Sequence, residues 1–185
     1  MRLSCATTIA FLVIFLSRGA VGAAQSWEID RSIITYTVHH PLKTASGTSK
    51  DTKGKGQCAD GRCKFIIATP VKSFDSGDSN RDLHMIEVTR GGENPMIVVR
   101  TAFDESSLTK KLVPLTFEIE FAGKRAAYHD VPFEIVSKDP AAVHVKGTIL
   151  IKLSDFFIVP PSLLAISIKD EVPVTIDSFW RMTSK

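Results

Sequence analysis

The sequence predicts an all-β domain of antiparallel strands with one short helix, preceded by an N-terminal leader. Two observations carry this expectation. Apolar and polar residues alternate with period two in several separate runs, the mark of half-buried strands. Turn residues fall between the runs, at Gly47, Asp60-Gly61, Gly91-Gly92, Gly123, Asp139-Pro140 and Pro160-Pro161. The length of 185 residues suits one domain, on a prior of roughly 100–200 residues each. A composition of 44% hydrophobic and 23% charged residues is that of a globular chain, and excludes a disordered or collagen-like one.

The leader comes first. Arg2 supplies a positive start, Ile9–Leu16 is an apolar run, and Gly19, Ala20, Gly22, Ala23 and Ala24 provide small residues for a peptidase. This is the pattern of a signal peptide over residues 1–24, removed to leave 25–185 as a single domain. The alternative is an uncleaved anchor. It needs about 20 apolar residues, and Arg18 interrupts the run well short of that. Export leaves no stable membrane span after cleavage. Taking Arg2 and Arg18 from the 23 basic residues leaves 21 against 20 acidic ones, so no broad basic surface for nucleic acid is expected.

Ser32–Val38 places Ile34, Tyr36 and Val38 on one face and Thr35 and Thr37 on the other. Next comes Cys58-Ala59-Asp60-Gly61-Arg62-Cys63, where Asp-Gly favours a type I′ hairpin turn. Ala59 and Arg62 then close the turn, and Cys58 faces Cys63 as a non-hydrogen-bonded pair with Cα atoms about 4.5 Å apart. A disulfide accepts that span. In this register Gly54, Gly56, Cys58, Cys63, Phe65 and Ile67 share one face and leave room beside the large side chains. Lys50, Lys53 and Lys55 mark an aggregation-resistant strand edge.

The β rhythm then breaks. Asp78 or Ser79 can cap a helix, Asp82 stands at capping-box spacing from Ser79, and Leu83 shares a face with Ile86. The helix expected is Ser79–Thr89, ended by Gly91-Gly92. Strands resume at Leu115–Phe121, Val131–Ile135, Val143–Leu153 and Val172–Asp177. Gly123–Asp130 lacks the look of a compact turn, and a helical turn is expected near Ser162–Ala165. Pro132 and Pro173 demand edge strands or outward-pointing nitrogens. Such strands can close as a barrel or stack as a sandwich, and periodicity does not choose between them.

Several segments resemble the YceI-like family. Trp27-Glu28-Ile29-Asp30 with Ser32–His39 is similar to its opening strand, and Asn80-Arg81-Asp82-Leu83-His84 to its helix. Asn94-Pro95-Met96-Ile97-Val98-Val99 resembles the strand that follows. Leu153–Ile158 and Lys169–Val174 resemble its closing loop and last strand. The likeness runs in matching order from Trp27 to Ile176. It implies a lipocalin-like antiparallel eight-stranded barrel in the periplasm, binding a long-chain isoprenoid or similar amphiphilic lipid.

On that resemblance, the lumen residues expected are Tyr36, Phe65, Ile67, Phe117, Ile119, Phe121, Phe133, Ile149 and Ile151. Read without it, these side chains could equally interlock as a dry core, since barrels of this size are often filled. Arg81, Asp82 and His84 are candidates for holding a polar head group, with helix capping and a solvated face as the alternative. The ligand expected is an isoprenoid lipid or a quinone-like molecule, with no other cofactor, and the reading allows a homodimer. An exported enzyme using Asp82 and His84 as acid–base partners is the second reading. It lacks a G-x-S-x-G nucleophile motif, and no catalytic residue is assigned in the first. His39, His40, His129 and His144 have neither H-x-H nor H-x-x-x-H spacing, so no metal site is expected.

Overall fold

A computed structural model describes residues 24–163 and 166–183. The expected leader falls on residues 1–24, of which 1–23 lie outside the described residues.

The chain begins with β1 (Gln25–His40), β2 (Lys43–Ser49), β3 (Lys53–Ala59) and β4 (Arg62–Pro70). After α1 (Ser79–Val88) come β5 (Met96–Asp104), β6 (Leu112–Phe121), β7 (Lys124–Lys138) and β8 (Ala142–Lys152). A small hairpin of β9 (Ser162–Leu163) and β10 (Ile166–Ser167) precedes β11 (Glu171–Thr183). Consecutive strands from β3 to β8 pair antiparallel, and β8 pairs with β11. The round closes where β11 meets β1. Strand β1 pairs with β3 along Gln25–Glu28 and with β2 along Ile34–His40, so β2 and β3 occupy one position in the round. The result is a closed eight-stranded barrel: the period-two runs predict its strands, and the family resemblance predicts their closure.

Closure changes the meaning of several sequence signals. Lys55 is exposed where β3 is paired with both β1 and β4, so it marks a solvated face and not an edge, whereas Lys53 lies beyond the β1 ladder and is paired on its β4 side. Pro132 and Pro173 need no edge either. Each sits one residue beyond a ladder: β7–β8 pairing begins at Phe133, and β11–β1 pairing stops at Val174. Bulges at Ile29/Arg31, Leu115/Phe117 and Ile135/Ser137 give long strands the extra coil that closure requires.

The hairpin register is the predicted one. Asp60 (φ 51°) and Gly61 (φ 74°) form the turn, Ala59 pairs with Arg62, and Cys58 and Cys63 form a disulfide with Cα atoms 4.0 Å apart. A second such turn joins β6 to β7. Ala122 (φ 50°) and Gly123 (φ 74°) link Phe121 to Lys124, which corrects the expectation that this region lacks a compact turn. Alanine is a poor marker for a left-handed position, and that hid the turn in the sequence. The helical turn expected near Ser162–Ala165 is corrected at its start, where Ser162 and Leu163 pair with Ser167 and Ile166; residues 164–165 lie outside the described residues.

Helix α1 spans Ser79–Val88, one residue short of the expectation. Its cap is Asp78, whose carboxylate accepts from the backbone N–H groups of Asn80 and Arg81 at 3.1 and 3.2 Å. The bond from the Arg81 N–H holds the Asp78 carboxyl below its ordinary range. Asp82 does not complete a capping box. It instead accepts from the N–H and hydroxyl of Ser76, outside the helix. No residue of the helix is fully buried, and Leu83 is 60% exposed. The Leu83–Ile86 face is therefore not the one turned inward; Arg81, His84, Met85 and Val88 border the interior.

Candidate functional site

The barrel encloses a cavity of about 810 Å³, within the ~300–1,000 Å³ common for small-molecule sites. Inward positions on every strand of the round except β3 line it, from Trp27 at one end to Arg81 at the other. All nine residues expected in the lumen lie on its wall: Tyr36, Phe65, Ile67, Phe117, Ile119, Phe121, Phe133, Ile149 and Ile151. A solid core of interlocked side chains is thereby excluded.

Glycine and aromatic residues explain how bulky side chains leave a vacancy. A Cβ on Gly56 would overlap the ring of Phe65, and one on Gly147 the ring of Phe133. A Cβ on Gly54 would stand 2.6 Å from Trp180 and 2.7 Å from Ile29. The space beside these glycines is thus filled by rings lying flat on the wall, contrary to the expectation that glycines themselves provide the room. The vacancy lies along the axis because the rings are tucked against the backbone.

One end is sealed. Phe65 stacks on Phe103 with centroids 5.6 Å apart and meets Trp180 edge-on at 4.9 Å. Trp27, the disulfide and Val143 are buried beneath them. Leu108 packs against the same cluster from the 3-10 turn Glu105–Thr109, which lies where β5 and β6 are unpaired beyond Thr101 and Phe117.

A second seam opens between β7 and β8, which pair only along Phe133–Lys138 and Val143–Gly147. The 3-10 turn Leu153–Phe156 fills it, and Phe156 is completely buried there. Tyr128 ties the plug to the wall. Its hydroxyl accepts from the Lys152 N–H at 3.3 Å and donates to the Asp155 carboxylate at 3.0 Å. Burial raises the phenol well above its usual value, and the Asp155 carboxylate adds to the shift. Beyond the plug, Asp170 accepts from the N–H and hydroxyl of Ser154 at 2.8 and 2.6 Å. These bonds, led by the hydroxyl, lower its carboxyl.

The other end is the mouth. Its rim is built from the β1–β2 turn, helix α1 and the segment around Pro161, Ser162 and Ile168. The formally charged side chains that line the cavity, Lys43, Asp78 and Arg81, stand here with His40 and His84. The walls below carry apolar side chains together with the hydroxyls of Ser32, Tyr36, Thr52, Thr69, Thr101 and Ser178. Tyr36 lies just inside, 5.5 Å from the Phe74 ring, its phenol raised chiefly by burial and further by Asp82.

The three head-group candidates separate. Arg81 and His84 reach the rim, but Asp82 does not line the cavity. The Arg81 guanidinium donates to the Ser76 hydroxyl at 2.9 Å and carbonyl at 2.6 Å, and His84 lies 3.6 Å from Glu87. Asp82 and His84 make no bond to each other among the described residues. Two residues apart on a helix, they face different ways, so the acid–base pair of the second reading is not assembled. Sequence reasoning missed Lys43 and His40 at the rim. Neither had a pattern around it, because the barrel brings the β1–β2 turn beside the helix only on closure.

Among the described residues no group of three or more His, Cys, Asp or Glu is placed to hold a metal ion. No helix among them is long and apolar enough to cross a membrane.

No protein-family model matches the chain, and no curated protein matches it significantly. Solved structures do. A polyisoprenoid binding domain from Saccharophagus degradans, implicated in plant cell wall breakdown, superposes with a TM-score of 0.68 at 15% identity. The match covers 85% of this chain and 98% of that one. BcnA of Burkholderia cenocepacia gives 0.67 at 16% identity, over 80% and 95% of the two chains. A YCEI protein of Campylobacter jejuni gives 0.51 at 14% identity over the full length of both. At such identities the shared property is the fold.

Proposed function

We propose that this chain is a YceI-like periplasmic protein that binds a long-chain isoprenoid or similar amphiphilic lipid in its barrel, for transport or storage, without catalysing a reaction. The observation that carries the reading is the long apolar cavity whose charged lining residues are confined to one end. A polyprenyl chain has no polar handles, and each buried methylene-sized unit contributes about 0.8 kcal/mol. Many units in such a cavity outweigh the cost of ordering the tail, while a hydroxyl, quinone or other polar head stays at the rim near Arg81, His84, Lys43 and His40.

The fold shared with a polyisoprenoid binding domain supports the same cargo. Export over residues 1–24 and an oxidising compartment fit the buried Cys58–Cys63 disulfide. The test is mass spectrometry of organic extracts from the purified exported protein. A stoichiometric prenyl lipid is expected, and Phe117→Trp or Phe121→Trp should obstruct its uptake with the fold intact. Protein that carries no lipid and takes up neither prenyl alcohol nor prenyl quinone defeats the reading.

A further inference from the structure

Exposed apolar side chains gather at the mouth. Val159 is 81% exposed, Phe157 71%, Leu42 64% and Ile166 43%, and Leu83 projects from the rim helix. Hydrogen bonds place several of them around one opening. His40 donates from Nε2 to the Ile166 carbonyl at 3.0 Å and accepts at Nδ1 from the Leu42 N–H at 3.1 Å. Arg90 donates to the Phe156 carbonyl at 3.1 Å, joining the region after the helix to the loop that bears Phe157 and Val159. From Phe156 to Ile168 the sequence carries no charged residue.

Phe157 is the least explained by folding. It ends a 3-10 turn with φ 54° and ψ 33°, a left-handed conformation that costs a non-glycine residue about 1–2 kcal/mol. Glycine is the usual choice at such a terminus. A large aromatic placed there is 71% exposed, and its one ring contact among the described residues is with the Lys124 ammonium, worth about 0.5–1 kcal/mol at an exposed site.

Lysines stand beside the apolar tips. Lys43 follows Leu42, Lys124 lies 4.9 Å from the centre of the Phe157 ring, and the Lys169 N–H donates to the His39 carbonyl. None of the three makes an ion pair among the described residues, whereas the nearby carboxylates Asp78, Asp155 and Asp170 are engaged in hydrogen bonds. Apolar tips flanked by lysines without a carboxylate partner are the arrangement that seats a protein in the headgroup region of a bilayer.

We infer that the mouth of the barrel is a membrane-docking surface, with Phe157, Val159, Leu42, Leu83 and Ile166 entering the outer layer of a phospholipid bilayer and Lys43, Lys124 and Lys169 meeting its phosphates. The surface takes its purpose from the carrier reading: a cargo too insoluble to cross water passes directly between bilayer and lumen.

Vesicles of phosphatidylethanolamine and phosphatidylglycerol test the inference by co-sedimentation with the exported protein. Phe157→Gly combined with Val159→Ser should lower vesicle binding at least tenfold, from the transfer energy of the lost side chains. The double variant should still take up farnesol from solution, and Phe157→Gly alone should melt no earlier than the parent. Leu112→Ser, which removes an exposed leucine on β6 away from the rim, should leave vesicle binding unchanged. The inference is overturned if the parent does not bind vesicles or if Leu112→Ser weakens binding equally. It is also overturned if the mouth variants merely convert a dimer into monomers, since a second copy would then cover this face. Vesicle binding without farnesol uptake would remove the carrier reading and leave the docking surface standing.

Discussion

The two ends of the barrel are built on opposite principles. The sealed end has a disulfide with both cysteines buried, a Phe65 ring in contact with both Phe103 and Trp180, and glycines whose missing side chains let the rings lie flat. The mouth is held by hydrogen bonds to Asp78, Asp170 and Tyr128, by a helix with no fully buried residue, and by apolar side chains left in solvent. Packing fixes one end, whereas polar contacts supplement the buried Phe156 and Ile158 at the other. The contrast teaches that one barrel can combine an end closed by stacked rings with an end whose rim keeps charged and apolar side chains in solvent.

The sharpest way to break this contrast is at Gly56. A valine there would collide with a Phe65 ring already held between Phe103 and Trp180. The expected cost is about 3 kcal/mol of global stability, the upper part of the overpacking range, measured by urea denaturation. Next in size is the disulfide. Replacing Cys58 and Cys63 with serine should cost about 2 kcal/mol, the entropy of closing so short a loop. A reductant should reproduce the loss in the parent protein.

Changes at the mouth should be smaller and more local. Tyr128→Phe removes the link between plug and wall at about 1 kcal/mol, and hydrogen exchange should show the Leu153–Phe156 turn opening first. In the parent protein the folded state keeps the Tyr128 phenol neutral above the pH where the unfolded chain ionises. Stability should therefore fall as pH rises past the ordinary phenol value of 10.0, and Tyr128→Phe should blunt that fall. Acid acts on the carboxylates. Asp78 and Asp170 are more acidic folded than unfolded, so what they contribute is present above the ordinary carboxylate range and lost as pH falls through it. Amides of α1 and of the loop after Leu153 should exchange faster near pH 3 than those of β3 and β4. Equal acceleration at both ends would erase the distinction.

The walls were legible in the sequence because they follow local rules. Alternation marked Leu115, Phe117, Ile119 and Phe121 as inward, and Asp60-Gly61 set the register that brought Cys58 to Cys63. The rim was not legible. Arg81 and His84 could be named from the helix, but Asp82 was drawn away by Ser76, a partner six residues back in a loop with no periodicity. His40 and Lys43 became rim residues only through closure of the round. The vacancy itself followed from neither pattern nor composition, because the same alternation serves a filled barrel and a hollow one.

Both tryptophans of the chain, Trp27 and Trp180, belong to the sealed cluster, the full depth of the barrel away from the opening. Their ultraviolet emission is accordingly a built-in depth gauge. A guest long enough to touch bottom would alter its colour or intensity, whereas a shorter one lodged near the entrance would leave it unchanged, so a ladder of chain lengths could be read optically with no label attached.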